Sequence, residues 1–351
     1  MSERFSRQVV LPQVGEEGQK RLASSHVLVV GCGALGSHTA ESLLRAGVGR
    51  LTLVDRDVLE VHNLHRVALM GPDDVGKPKA EACAAALRRL DRNAQIGFVV
   101  AHMGPTEAEK WIPAADLVAD GLDNLETRYM VNDVCVKHGV LWTYTAVLGT
   151  HGMNMPIRPR SGPCLRCLFP EPPSAGTLPT CASAGILGPV PMALAAVQAG
   201  AAIRLLVDPP AQGRADGQSS HEGGGTGTAR ASEELLHVDL WGRHADCVAV
   251  PRAEDCPTCG RGEYPWLEQA SRTAVLCGDA VQVLPSRPVK LDLEALAARL
   301  APLGSVRRRG SVLAVDLPEV SLVVFPDGRA LVRGTQDPGR AQSLYDQYVA
   351  R

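Results

Sequence analysis

Between His26 and about Ile157, short β-branched and aliphatic runs alternate with stretches of helical character. A parallel sheet whose strands are joined by covering helices leaves this pattern. Strands are predicted at His26–Val30, Leu51–Asp55, Ile96–Ala101, Asp116–Ala119 and Val140–Ala146. Helices are predicted over Ser37–Ala46, stopping at Gly47; over Pro78–Leu90, opening with a proline in its first turn; and over Leu125–His138, stopping at Gly139. The fold class that follows is a doubly wound α/β sheet.

That rhythm then breaks. Residues Asp208–Ser232 are rich in Gly, Ser and Pro with almost nothing to bury, and read as a flexible insertion. Sheet signals resume at Leu235–Leu240. After Gly260 come sheet-like Ala274–Leu284, a helix Leu291–Leu303, a strand Val312–Asp316, a hairpin closed by Pro326-Asp327-Gly328, and a final helix around Gly339–Val349. These elements describe a small α+β domain, so the chain divides into residues 1–262 and 263–351.

Composition narrows the partners. The 351 residues are 45% hydrophobic and 21% charged, with a net charge of −2, ordinary for a soluble globular protein and unsuited to an overall electrostatic hold on nucleic acid. The opening residues Met1–Val10 lack the apolar core of a signal peptide, and the most apolar stretch, Val190–Val207, is broken by Gln198 and Arg204. Neither nucleic acid nor a membrane is an expected partner, and the expected location is the cytoplasm.

Candidate chemistry begins at Gly31-Cys32-Gly33-Ala34-Leu35-Gly36, a GxGxxG run after a predicted strand and before a predicted helix. In that setting glycine lets the backbone approach phosphate, and the helix N-terminus supplies donors. Asp55 ends the next strand, 19 positions after Gly36, where a carboxylate can take ribose hydroxyls. A structural tight turn without ligand is the plainer alternative. Asn63-Leu64-His65-Arg66, Gly76-Lys77-Pro78-Lys79 and Asp120-Gly121-Leu122-Asp123-Asn124 then put cations and carboxylates on loops at the strand ends. Cations suit a triphosphate losing pyrophosphate, and a nearby carboxylate suits magnesium. Taken singly, Arg66 and Lys77 read equally as solvated charges, and Asp123 with Glu126 as a helix-capping pair.

Ten cysteines in a chain expected to be cytosolic point to metal or thiol chemistry rather than disulfides. Cys32, Cys83, Cys135, Cys247 and Cys277 are singletons in apolar settings, where a buried thiol is the usual meaning. Cys164 with Cys167, and Cys256 with Cys259, form two CxxC knuckles that together complete a tetrahedral Zn2+ site, with a redox dithiol as the rival. Cys181 follows a Pro-rich segment on a crossing loop, where an accessible thiolate could attack an activated acyl group; an incidental loop cysteine is the alternative.

As a set, Arg4-Phe5-Ser6-Arg7-Gln8, the glycine turn, Leu53-Val54-Asp55-Arg56-Asp57, Asn63 to Arg66, Gly76 to Lys79, Asp120 to Asn124, both CxxC pairs and Thr180-Cys181 carry a resemblance over roughly residues 3–262. They resemble the ubiquitin-activating-enzyme-like adenylyltransferases of the bacterial ThiF/MoeB/HesA type. The resemblance implies a Rossmann-like mixed sheet with a four-cysteine zinc site. It also implies adenylation, with Mg2+ and ATP, of the C-terminal glycine carboxylate of a ubiquitin-like sulfur carrier (ThiS/MoaD-like, ending in Gly-Gly), with release of pyrophosphate. Gly31, Gly33 and Gly36 would line the nucleotide turn, Asp55 would hold ribose, Asn63, Arg66 and Lys79 phosphates, and Asp123 magnesium. Arg7 would reach the partner's ATP across a homodimer, and Cys181 would be the cysteine that some members link to the activated carrier. The tail after Gly260 is too short for a rhodanese domain and Cys277 sits in no visible persulfide loop, which leaves room for a separate sulfurtransferase.

Other readings belong to different classes. An NAD-dependent oxidoreductase would share the glycine turn, but leaves Arg66, Lys79 and Asp123 without a purpose. A non-catalytic carrier-binding member would have no chemical reason to keep them. A tRNA-modifying cyclase of the threonylcarbamoyladenosine type would also adenylate a carboxylate, but lacks the zinc knuckles and would call for a basic RNA-binding face.

Overall fold

The computed structural model describes residues 3–173, 181–208, 234–268, 273–275, 280–285 and 289–350. Its larger sheet holds β1 (His26–Val30), β2 (Arg50–Asp55), β3 (Gln95–Val100), β4 (Leu117–Asp120), β5 (Leu141–Leu148), β6 (His151–Ile157), β7 (Glu234–Asp239) and β8 (His244–Ala249), in the order β3-β2-β1-β4-β5-β6-β7-β8. The strands from β3 through β5 are parallel. Those from β5 onward pair antiparallel. The parallel pattern expected as far as Ile157 therefore stops one strand early. Only Gly149 and Thr150 separate β5 from β6, and a parallel neighbour needs a crossover of a dozen residues or more.

The helices of this part are α1 (Ser6–Val9), α2 (Gly15–Ser24), α3 (Ala34–Arg45), α4 (Lys79–Leu90), α5 (Pro105–Trp111), α6 (Leu125–His138), α7 (Leu165–Leu168), α8 (Cys181–Ala184) and α9 (Pro189–Val207). Alternate residues of each central strand go to opposite faces, and both faces are covered. Val27, Val29, Leu51, Leu53, Leu117 and Ala119 pack with residues of α3, α4 and α9. Leu28, Val30, Val54 and Val118 pack with residues of α5 and α6. Among the described residues, α9 alone is long and apolar enough to cross a membrane. It is a core helix here, and the residue that breaks its apolar run explains why. Gln198 is fully buried, donates to the carbonyls of Asp120 (2.9 Å) and Thr143 (3.0 Å), and accepts from Thr39 Oγ1 (2.6 Å), tying α9 to β4, β5 and α3.

The second sheet comprises β9 (Thr273–Val275), β10 (Ala280–Val283), β11 (Ser305–Arg309), β12 (Val312–Asp316), β13 (Ser321–Val324) and β14 (Ala330–Arg333), in the antiparallel order β11-β12-β13-β14-β10-β9. It carries α10 (Leu293–Leu300), capped by the Asp292 carboxylate, and α11 (Pro338–Tyr348), capped by that of Asp337. This small α+β unit docks on the larger one: Val312, Val323, Phe325 and Leu331 enclose Val58. Asp208 ends α9, while the rest of the predicted insertion, and Cys277, lie outside the described residues.

Candidate functional site

The chain leaves β1 toward β2 on one side and returns from β3 to β4 on the other, so the loops after β1 and β4 part at a topological switch point. Their backbones touch. A Cβ at Gly31 would lie 2.3 Å from the Gly121 carbonyl oxygen, and one at Gly36 would lie 1.8 Å from that of Gly31. Gly33 differs: it sits at the cap before α3, and a Cβ there would meet nothing within 4 Å. Two glycines of the turn are thus fixed by backbone contact, and the third opens onto free space before a helix N-terminus, where an anion is favoured.

Asp55 braces this turn. Its carboxylate accepts from the backbone N–H groups of Cys32 (2.6 Å) and Asp57 (2.7 Å), leaving second lone pairs on both oxygens. Burial pulls its pKa above the ordinary carboxylate range, against the pull of Lys79. Lys79 opens α4, donates from Nζ to Asp57 Oδ2 at 3.3 Å, and hydrogen-bonds from its backbone N–H to the Asp57 carbonyl. Burial disfavours its charge, yet Asp57, Asp55 and Asp123 outweigh that and hold the ammonium well above its usual range. For Asp57 burial is likewise outweighed, by Lys79 and Arg56, and its carboxyl stays below the normal range.

Asp57 Oδ1 is buried without a hydrogen-bond partner and lies 3.9 Å from Arg56 Nε. Asp123 Oδ1 lies 4.0 Å from the same guanidinium, which also donates to His102 Nδ1 at 3.4 Å. Two carboxylates on one cation, one with an unpaired buried oxygen, are a donor set that fits a hard cation such as magnesium. Sequence reasoning gave no role to Arg56, Asp57 or His102. The signal was available: Asp-Arg-Asp closes a strand at the sheet edge where such folds bind ligands.

The other expected residues divide. Arg66 donates to the His62 carbonyl (2.7 Å) and has no carboxylate partner among the described residues, leaving its charge available. Asn63 is buried and its Oδ1 accepts from Glu60 N–H (3.0 Å), so its amide NH2 is the end available to a ligand. Asp123 is not a helix cap; Asn124 is, accepting from Thr127 N–H at 2.9 Å. Lys77 pairs with Asp74 (2.8 Å), consistent with its plainer reading. Asp120 is fully committed to Arg128 (3.0 Å) and Leu122 N–H (2.8 Å). Arg7 is exposed on α1 and forms no hydrogen bond or ion pair among the described residues. Cys181 begins α8, and its side chain lies outside the described residues.

The two CxxC knuckles meet although 92 residues separate their partners. The sulfurs of Cys164, Cys167, Cys256 and Cys259 all lie within 4.8 Å of one another, with Cys164–Cys256 at 3.6 Å and Cys167–Cys259 at 3.4 Å. Tetrahedral Zn–S bonds of ~2.3 Å imply sulfur separations of ~3.8 Å, so this cluster can bind zinc and leaves no open position. Thr258, between the second pair, donates to Asp133 Oδ1 (2.8 Å) on α6, and Trp266 stacks on Tyr129 at 5.2 Å.

A doubly wound sheet with a glycine-turn crevice, an acid–base network at its mouth and four clustered cysteines defines an α/β protein whose crevice suits a nucleotide and whose cysteines can bind zinc. The ThiF family model matches residues 5–258. Over 99% of its length the chain is 35% identical to the whole of the sulfur carrier protein ThiS adenylyltransferase of Bacillus subtilis. Over 76% of its length it is 39% identical to the SAMP-activating enzyme E1 of Haloferax volcanii, covering 92% of that protein. Among solved structures, Escherichia coli MccB has a similar fold, with a TM-score of 0.61 at 20% identity over 74% of this chain and 75% of that one. The chain belongs to the ThiF family.

Proposed function

We propose that this chain is an adenylyltransferase that transfers AMP from ATP to the C-terminal glycine carboxylate of a small ubiquitin-like sulfur carrier. The observation that carries the proposal is the network of Lys79, Asp57, Arg56 and Asp123 at the mouth of the Gly31–Gly36 turn. Full-length similarity to a ThiS adenylyltransferase supports the same carrier class.

In this reading the nucleotide phosphates lie over Gly33 and the N-terminus of α3, with ribose hydroxyls on Asp55. Arg66, Lys79 and the Asn63 amide hold the phosphate oxygens. A carrier carboxylate oxygen attacks the α-phosphorus, the bond to the bridging β-phosphate oxygen breaks, and pyrophosphate leaves with that electron pair. Two anions must meet in this step, and fixed donors that need no reorganisation lower its barrier. Asp57 and Asp123 would hold Mg2+, which supplies neutralisation of the polyphosphate charge. Zn2+ on the four cysteines would be structural.

Further elements of the proposal rest on the sequence. The exposed Arg7 would act across a homodimer, the Cys181 thiolate would displace AMP from the adenylate to give a thioester, and a separate sulfurtransferase would supply sulfur in the cytoplasm. The test is ATP–pyrophosphate exchange with purified carriers ending in Gly-Gly, followed by intact-mass measurement of the enzyme. Carrier-dependent exchange is expected, with an adduct lost in Cys181→Ala. Exchange without carrier, or none with any carrier, removes the reading.

A further inference from the structure

The C-terminal domain grips the segments that carry the nucleotide site. Arg329, on the turn between β13 and β14, is 3% exposed and lies 4.0 Å over the Phe325 ring. Its guanidinium is held by Asp327 (2.9 Å) and donates across the domain boundary to the carbonyls of Arg56 (3.0 Å) and Val100 (3.3 Å). Arg333 on β14 pairs with Glu60. The backbone N–H of Glu60 in turn donates to Asn63 Oδ1. Ser311, at the turn before β12, donates from N–H (2.9 Å) and Oγ (2.7 Å) to Glu81 Oε2, in the first turn of the helix that opens with Lys79. Val58 is sealed among four C-terminal apolar side chains.

Apart from the Val100 carbonyl at the end of β3, these contacts land on one stretch, Arg56 to Asn63, and on the start of α4. That is where Arg56, Asp57, Asn63 and Lys79 reside. A planar, five-donor guanidinium spanning the carbonyls of Arg56, just after β2, and Val100, at the end of β3, fixes backbone far better than a single ammonium would. We propose that Arg329 and Arg333 are positioning residues for the nucleotide site, and that the C-terminal domain is a working part of that site rather than an independent appendage. The inference rests on the proposed ATP site, and it is read by binding as well as by turnover.

The test uses the full chain and a non-hydrolysable ATP analogue, titrated by calorimetry into wild type, Arg333→Met, Ser311→Ala with Arg333→Met, Arg329→Lys and, as a distant control on the same domain, Tyr348→Phe. Dissociation constants about tenfold or more weaker are expected for the first three variants, with the control at wild-type affinity. Backbone amides of residues 56–63 should exchange faster in those variants. In exchange assays KM for ATP should rise while KM for the carrier is unmoved, and Glu60→Arg with Arg333→Glu should recover most of the affinity. Should Arg329→Lys fail to fold, Arg333→Met and its double variant carry the test. Unaltered affinity in variants of a wild type that binds the analogue overturns the positioning role and leaves the adenylation reading standing. A wild type that binds no nucleotide overturns both.

Discussion

Gly31 and Gly121 approach so closely that a Cβ on the first would sit 2.3 Å from the carbonyl oxygen of the second. The loops after β1 and β4 are therefore joined by backbone, and the crevice between them cannot widen without breaking that contact. Gly31 also needs its φ of +93°, which side-chain-bearing residues rarely adopt.

This separates glycines that build the turn from one that is left open in front of it. Gly36→Ala would drive a Cβ to 1.8 Å from the Gly31 carbonyl oxygen, so we expect destabilisation of about 3 kcal/mol or more by denaturant unfolding. Gly33→Ala has free space and should unfold within about 1 kcal/mol of wild type, yet bind ATP at least tenfold more weakly. Normal ATP affinity in Gly33→Ala would move the phosphates away from this turn.

Lys79 is the main counter-charge for two carboxylates. Lys79→Met should cut pyrophosphate exchange by ~10² to ~10³, the cost of one preorganised donor. It also leaves Asp55 and Asp57 underpaired, and their carboxyls should then titrate at higher pH than in wild type. Protons taken up on acidification remove the need for that counter-charge, so the variant's stability deficit should be larger at pH 7 than at pH 5. Urea unfolding of both proteins at the two pH values checks this; a deficit that grows on acidification refutes the pairing.

Much of this site was legible because local rules encode it. The glycine turn, Asp55 at the strand end, the Leu125–His138 span of α6 with its stop at Gly139, and the CxxC pairs each depend on residues close in sequence. The C-terminal grip was not legible. Arg329 and the Arg56 carbonyl are 273 residues apart, and neither periodicity nor turn chemistry specifies how two finished units dock. Arg56 and Asp57 escaped for another reason: adjacent charges at a strand end read as solvated until burial and the unpaired Asp57 Oδ1 show otherwise.

His102 gives a pH signature from the same region. Burial, then the Arg56 and Arg329 guanidinium groups, push its pKa down to about 4, so it is neutral in the folded protein at pH 7. The unfolded chain binds a proton near pH 6.5 that the folded one refuses. Between about pH 6.5 and 4 the unfolded state therefore holds more protons, and stability falls as pH falls through that window. The contribution of this group is at most about 3 kcal/mol. His102→Gln should flatten the slope of unfolding free energy between pH 6.5 and 4.5, and an unchanged slope would place its source elsewhere.

The four-cysteine cluster predicts a clamp whose removal leaves the sheet standing. One zinc per chain is expected by elemental analysis, falling below about 0.1 in Cys256→Ser, because a structural site needs all four thiolates. The Cys256–Cys259 knuckle is anchored to α6 by Thr258 on Asp133, and the chain beyond it by the Trp266 N–H on the other Asp133 oxygen (3.1 Å) and the Tyr129–Trp266 stack. Without metal, four close thiols cannot all ionise, and those contacts must hold the segment alone. A strong chelator should therefore shift Trp266 emission to longer wavelength and expose residues 253–266 to protease. The far-UV spectrum of the α/β core should barely change, since its strands and helices pack through Val27, Leu51, Leu117 and their neighbours rather than through sulfur. Global unfolding by the chelator would instead make the metal a condition of the fold itself.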